Sequence, residues 1–293
     1  MSAPTFVCAD AFEAGQTITL GEDAAHHMRV LRLDAGQPVR LLDGRGGTGE
    51  GVLVRLGKRN ASVQVRSAVQ VEPPPAVHLL VPIADRERML WLAEKATELS
   101  ATSWRPVLWK RSRSVSPRGE GTVFQQKVSA RMAAALEQSR GGWLPTVYPD
   151  ATLERAIAAS SDGVRFVLDG GGAPIARALS AAFATAAAGG IPAVTVAVGP
   201  EGGFDEAELS LLGAAGFRSV SLGRTVLRFE TAAVAGLAGL RAALDALAGA
   251  AGADKAAAWA DAHATDGEGT IRSELRATGD EGSTPAEGDP TDG

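Results

Sequence analysis

The residue types that could handle a small, charged ligand fall in two short segments, Ala197-Val198-Gly199-Pro200-Glu201-Gly202-Gly203-Phe204 and Leu222-Gly223-Arg224-Thr225-Val226-Leu227-Arg228-Phe229-Glu230-Thr231-Ala232. In the first, glycines let the backbone approach a ligand without Cβ obstruction. No Gly-Lys-Ser/Thr follows, and the glycine spacing is not Gly-x-Gly-x-x-Gly, so neither a Walker loop nor a dinucleotide fingerprint is present. Glu201 inside the loop opposes a phosphate and suits a ligand with an adenine or a positive centre. The second segment pairs Arg228, able to stabilise developing negative charge, with Glu230, able to accept a proton. Its purely structural alternative is an ion pair at a helix start, with Glu230 complementing the helix dipole.

A third segment, Trp104 to Arg118, carries five basic residues, two tryptophans and no acid. Lys and Arg in such a cluster neutralise nucleic-acid phosphates. Trp104 and Trp109 read as core residues rather than base-stacking platforms. The adjacent His26 and His27 point in different directions on a helix and make a poor metal site, and Cys8 stands alone. No nucleophile–histidine–acid arrangement is visible, and no metal is expected.

These segments need elements to position them. Residues 5–71 alternate short β-type runs (17–20, 38–42, 51–56 and 61–65) with glycine-rich turns and one helix from Asp23 to Leu31, the pattern of a small barrel. Glu72-Pro73-Pro74-Pro75 reads as a stiff linker. Beyond it strands and helices alternate, which implies a parallel sheet covered by helices. Strands are expected at 77–81, 104–109, 165–168, 191–198 and 219–222, and helices at 86–99, 123–139, 175–188, 205–214 and 230–247. Asp205 and Glu208 form a capping-box pattern, Phe204 and Leu209 a hydrophobic staple, and Gly216 a stop. Both ligand-type segments then follow apolar strands, at the edge where open α/β sheets bind ligands.

Composition bounds the class. A hydrophobic fraction of 45% is ordinary for a soluble globular chain. No apolar run approaches the ~20 residues of a membrane helix, the N-terminus lacks signal-peptide features, and a lone cysteine fits a reduced, cytoplasmic protein. The net charge of −5 is misleading. Residues 254–293 hold ten acids against three bases, a net of −7, which leaves the first 253 residues at +2. That acidic tail, poor in large apolar side chains, is expected to be disordered.

On these residues the sequence resembles the RsmE family of 16S ribosomal RNA uridine-N3 methyltransferases, within the SPOUT superfamily. The resemblance covers roughly residues 5–248. It includes His26-His27-Met28-Arg29-Val30-Leu31-Arg32, Glu94-Lys95-Ala96-Thr97-Glu98-Leu99, Arg111-Ser112, Ala135-Leu136-Glu137-Gln138-Ser139-Arg140 and both ligand-type segments. It implies a PUA-like RNA-binding β-barrel (1–72) and an α/β SPOUT methyltransferase domain with a C-terminal trefoil knot (76–249); the disordered acidic tail (250–293), read from composition, has no counterpart in the family. The resemblance also implies a homodimer that methylates N3 of U1498 in the 30S subunit. S-adenosyl-L-methionine would be held by Leu168, Gly199, Pro200, Glu201, Gly202, Gly203, Leu222, Gly223, Leu227 and Thr231, with Glu201 touching either the cofactor or the partner subunit. Arg228 would stabilise charge on the uracil, while Glu230 accepts the N3 proton or orients Arg228. RNA would meet Arg29, Arg32, Lys110, Arg111, Arg113 and Arg140. Departures from the family pattern are Thr5 before Phe6 in place of an arginine, Phe229 in place of a small or polar residue, and Ser100 after Leu99 in place of glycine. The rival readings are a methyltransferase for another rRNA or tRNA position and a non-catalytic RNA-binding or ribosome-assembly factor.

Overall fold

The computed structural model describes residues 3–112, 121–184 and 191–251. Arg113, and nearly all of the acidic tail, lie outside the described residues. Strands β1 (Thr5–Val7), β2 (Thr17–Leu20), β3 (Pro38–Leu42), β4 (Gly47–Leu56) and β5 (Ala61–Gln70) form one sheet in the order β1-β3-β4-β5-β2, with α1 (Glu22–Val30) following β2. Alternate residues of every strand share one core. Phe6, Leu20, Val39, Leu41, Leu53, Val63 and Val65 pack there with Ala25 and Met28 of α1. The outermost strands β1 and β2 therefore close over the same interior although they are not paired. The sequence reading omits β1 and otherwise locates these strands.

The second sheet is wholly parallel. It runs β12 (Arg218–Ser221), β10 (Val164–Pro174), β11 (Val194–Val198), β6 (Val77–Pro82), β7 (Ser103–Leu108) and β8 (Thr146–Val147), with β9 (Ala151–Thr152) also on β7. Every residue of β11 is buried, as befits a strand covered on both faces. Helices α2 (Arg86–Glu98), α3 (Gly121–Ser139), α4 (Leu153–Ala158), α5 (Ile175–Phe183), α6 (Glu206–Ala214) and α7 (Phe229–Ala251) supply the cover. Trp104 is fully buried and Trp109 nearly so, as expected for core residues.

Several boundaries differ from the sequence reading. The strand expected at 165–168 runs on to Pro174: residues 169–172 form an irregularity inside β10, which resumes pairing at Ala173 with Val220. Gly172 is required there, because a Cβ would stand 2.4 Å from the Ser219 and Val220 backbone of the neighbouring strand. β11 starts at Val194 rather than 191. The described part of α5 ends at Phe183, and part of its expected length lies outside the described residues. Short β8, β9 and α4 carry too little periodicity to be read.

Helix α7 also corrects a sequence expectation: by length and composition alone, Phe229–Gly249 is apolar enough to cross a membrane. Its pattern is that of a core helix. Phe229, Ala233, Leu237, Leu240 and Leu244 are buried against β6, β10 and β11 residues. Arg241, also buried, donates to the carbonyls of Pro75 (2.6 Å), Leu99 (3.1 Å) and Ser100 (2.5 Å). Burial pulls the proton affinity of its guanidinium down. The chain thus returns from β12, at one border of the sheet, to the residues that flank β6 and α2.

The two sheets meet through the end of α3 and the segment after it. Gly46 N donates to Gly142 O at 2.8 Å, Leu144 N to Gly44 O at 2.9 Å, and the Trp143 indole to Val71 O at 3.2 Å. Val7 N donates to Glu137 Oε1 at 2.9 Å, and His27 Nδ1 lies 3.9 Å from Glu137 Oε2.

Candidate active site at the carboxyl edge of the parallel sheet

Parallel register decides which sequence-distant residues become neighbours. Leu168 pairs with Val198 of β11 and with Val220 of β12. Leu168, at the irregularity in β10, therefore stands beside Gly199 and Leu222, which leave the carboxyl ends of β11 and β12. The first turn of α2 after β6 and the segment Trp109–Ser112 after β7 arrive at the same edge, which is where open α/β sheets bind ligands.

The glycine loop is held from below and from one side. A Cβ on Gly199 would lie 2.7 Å from the Phe204 ring, whose edge meets Trp109 with centroids 5.0 Å apart. Gly203 N donates to Pro200 O at 2.9 Å, closing the turn. The capping box read from the sequence is present. Asp205 Oδ1 accepts from Ala207 N at 3.1 Å, and Glu208 Oε2 accepts from Asp205 N at 2.8 Å.

Basic residues expected to face RNA also bind this loop. Lys110 Nζ donates to Asp205 Oδ2 at 2.9 Å, Lys110 N to Glu208 Oε1 at 2.6 Å, and Arg111 Nη1 to Gly202 O at 3.2 Å. The Lys110 ammonium, aided by Ala207 N–H, holds the Asp205 carboxyl below its ordinary range. Lys110 still leaves 69% of its side chain exposed, so its bond to Asp205 does not hide its charge.

Glu230 sits in the first turn of α7 and is buried. Its partner is not Arg228, as a helix-start pair would have it, but Arg88 of α2, whose Nε lies 3.8 Å from Glu230 Oε1. The same guanidinium donates through Nη1 to Glu201 Oε1. Glu230 Oε2 is buried and meets no hydrogen-bond partner among the described residues. Arg228 is exposed, and its guanidinium makes no ion pair among the described residues. Phe229, between them, belongs to the core with Ala233 and Leu237.

Of the expected cofactor residues, Pro200 is buried, Leu168, Gly199 and Leu222 are half-buried, and Glu201, Gly202, Gly203, Gly223, Leu227 and Thr231 are exposed. The edge fits an S-adenosylmethionine. It offers a loop with no room for a side chain at Gly199, apolar flanks at Leu168 and Leu222, and a buried carboxylate oxygen lacking a donor among the described residues. Such an orphan costs about 1–3 kcal/mol until a donor arrives.

The remaining basic residues are dispersed. Arg29 of α1 donates through Nη1 to Gly57 O and Lys58 O at 2.8 and 2.7 Å. Arg32 and Arg140, just past α1 and α3, have left-handed φ of 55° and 60°. Thr5, where the family resemblance leads one to expect an arginine, is buried beside fully buried Phe6.

Arg88 escaped the sequence reading. A signal exists nonetheless, because Arg86 and Arg88 place two cations in the first turns of α2, where the helix dipole disfavours them.

Residues 71–241 match the family model described as RNA methyltransferase domain, and residues 20–66 match that described as RNA methyltransferase PUA domain. The parallel sheet with its ligand edge and the small five-stranded sheet thus make up an RNA methyltransferase domain joined to a PUA domain. Within that class, the chain belongs to the ribosomal RNA small subunit methyltransferase E family. It is 31% identical over 232 residues to the ribosomal RNA small subunit methyltransferase E of Synechocystis sp., covering 78% of this chain and 74% of that protein. The Mycobacterium bovis protein of the same name is 30% identical over 227 residues, 74% of this chain and 82% of its own. Among solved structures, the Neisseria gonorrhoeae ribosomal RNA small subunit methyltransferase E bound to S-adenosyl methionine superposes with a TM-score of 0.72. It is 25% identical, covering 82% of this chain and 98% of that chain.

Proposed function

We propose that this protein transfers a methyl group from S-adenosylmethionine to N3 of one uridine in small-subunit ribosomal RNA, at the position numbered U1498 in 16S RNA. The observation that carries the reading is the buried Oε2 of Glu230, which meets no donor among the described residues, at the sheet edge that also bears the glycine loop. Uridine N3 carries a proton that must leave, and Glu230 is the group that accepts it. The resulting charge spreads onto the uracil O2 and O4, where Arg228 stabilises it. When bound, the cofactor supplies an electrophilic methyl carbon whose sulfur departs as a neutral thioether. The loop residues Gly199–Gly203 with Leu168, Leu222, Gly223, Leu227 and Thr231 orient the two reactants, and orientation supplies much of the acceleration.

In this reading residues 1–72 are a PUA-like RNA-binding barrel and 76–249 a SPOUT domain with a trefoil knot. The return of α7 from border strand β12 to the Pro75, Leu99 and Ser100 carbonyls supports the knot. A homodimer is part of the proposal. Val226, fully exposed, and Leu227 give the rim of the site an apolar surface that a second copy would cover. The protein acts in the cytoplasm, on the 30S subunit, through Arg29, Arg32, Lys110, Arg111, Arg113 and Arg140.

The test is methyl transfer from labelled S-adenosylmethionine to 30S subunits lacking the modification, with the product mapped by mass spectrometry. N3-methyluridine at the stated position is expected. Methylation of another nucleotide would reassign the substrate, and cofactor binding without any transfer to rRNA would overturn the reading.

A further inference from the structure

We propose that Arg88 is a positioning residue for methyl transfer, acting through Glu230, and that it ties this base to the glycine loop through Glu201. The inference rests on the methyltransferase reading above. It begins from an electrostatic oddity: Arg88 lies in the first turn of α2, whose N-cap Asp85 accepts from Arg88 N at 3.1 Å. A cation there opposes the helix dipole. Two carboxylates from two other segments offset that cost. Glu201 belongs to the loop after β11 and accepts from Nη1, and Glu230 opens α7 and lies 3.8 Å from Nε.

A guanidinium suits this task as an ammonium does not. Its donors are fixed in one plane, so the directional bond to Glu201 through Nη1 also fixes where Nε presents its charge to Glu230. Oε1 of Glu230 is turned toward Arg88, and Oε2, the buried oxygen, meets no hydrogen-bond partner among the described residues. Arg88 thereby biases how the Glu230 carboxylate is turned, drawing Oε1 toward itself by charge. It does not need to touch the uracil or the cofactor.

The experiment is a double-mutant cycle on turnover with the full chain, at saturating S-adenosylmethionine and undermethylated 30S subunits. Arg88→Met should lower kcat by about tenfold to a hundredfold, with the KM for 30S subunits little changed. Arg88→Lys should recover only part of the loss, because it keeps the charge and loses the planar fork. Glu230→Gln should be at least as slow, and Arg88→Met with Glu230→Gln should be no slower than Glu230→Gln alone. Multiplicative losses would overturn a role through Glu230, as would an unchanged kcat in Arg88→Met. Should Arg88→Met fail to fold, Arg88→Lys carries the same cycle, and additivity there would overturn the role equally. Wild-type protein that methylates nothing overturns the enzyme reading and this role together. An active wild type with an equally active Arg88 variant overturns this role alone.

Discussion

The rings of Trp109 and Phe204 meet edge to face, centroids 5.0 Å apart and planes at 88°. Phe204 thereby fills the space in front of Gly199, where a Cβ would come within 2.7 Å of the ring. The glycine loop is thus shaped by an aromatic pair that joins it to the end of β7. Replacing Gly199 with alanine forces Phe204 off Trp109 or moves the loop. Overpacking of this kind costs about 1–3 kcal/mol, so Gly199→Ala should weaken S-adenosylmethionine binding roughly tenfold or more by calorimetry. Adding Phe204→Leu should recover part of that loss. Unaltered affinity in Gly199→Ala would mean the ligand does not depend on the shape of this loop.

Arg228 allows binding and chemistry to be tested apart. Its exposed guanidinium has no ion-pair partner among the described residues, so removing it disturbs no internal bond. Arg228→Ala should keep cofactor affinity within about twofold and lose roughly a hundredfold to a thousandfold in kcat, the range for one charge-stabilising donor. Equal losses in affinity and turnover would assign Arg228 to cofactor binding instead.

The basic residues divide by what else they hold. Arg32 is exposed just past α1, so Arg32→Gln should reduce the salt slope of RNA binding by about one unit without lowering the melting temperature. Arg29 is bonded to two carbonyls of the turn between β4 and β5, so Arg29→Gln should cost both RNA affinity and stability. Anisotropy titrations of an rRNA fragment over a salt series, with melting curves alongside, distinguish the two. A slope untouched by Arg32→Gln would remove this face from the RNA interface.

What the sequence disclosed followed from local chemistry. The capping box at Asp205 and Glu208, the helix from Arg86 and the strands β2 to β5 of the first sheet declare themselves within a few residues. The two ligand-type segments were legible because glycines after an apolar strand, and an Arg-x-Glu before a helix, are local patterns too. Pairings between distant segments were not. Arg88 and Glu230 lie 142 positions apart, and only the parallel order that sets β6 next to β11 brings α2 to their shared edge. The sequence also suggests Arg228 as the partner of Glu230, since neighbours in the chain are the natural first guess. The fold overrode that guess by burying Phe229 and turning Glu230 inward. The full length of β10 is not legible for a related reason: three glycines after an apolar run look like the end of a strand until a neighbouring strand approaches too closely to admit a side chain.

The joint between the sheets makes a pH-dependent contribution whose sign can be worked out. Glu137 is half-buried between α3 and β1, and partial burial pushes its carboxyl above the ordinary range, although the Val7 N–H and the nearby His27 ring pull the other way. The folded chain then binds more protons than the unfolded one between the ordinary carboxylate pKa and the raised value. Unfolding free energy therefore falls as pH rises through that window. Below it the carboxyl is neutral in both states, and its desolvation cost disappears. Glu137→Gln keeps an oxygen for the Val7 N–H and has no such titration. The stability of the glutamine variant relative to the wild type should therefore increase from about pH 4 to about pH 7, followed by urea unfolding through tryptophan fluorescence. A difference that stays level across that range, or runs the other way, would mean that the carboxylate is favourably paired at the joint and that its burial costs nothing.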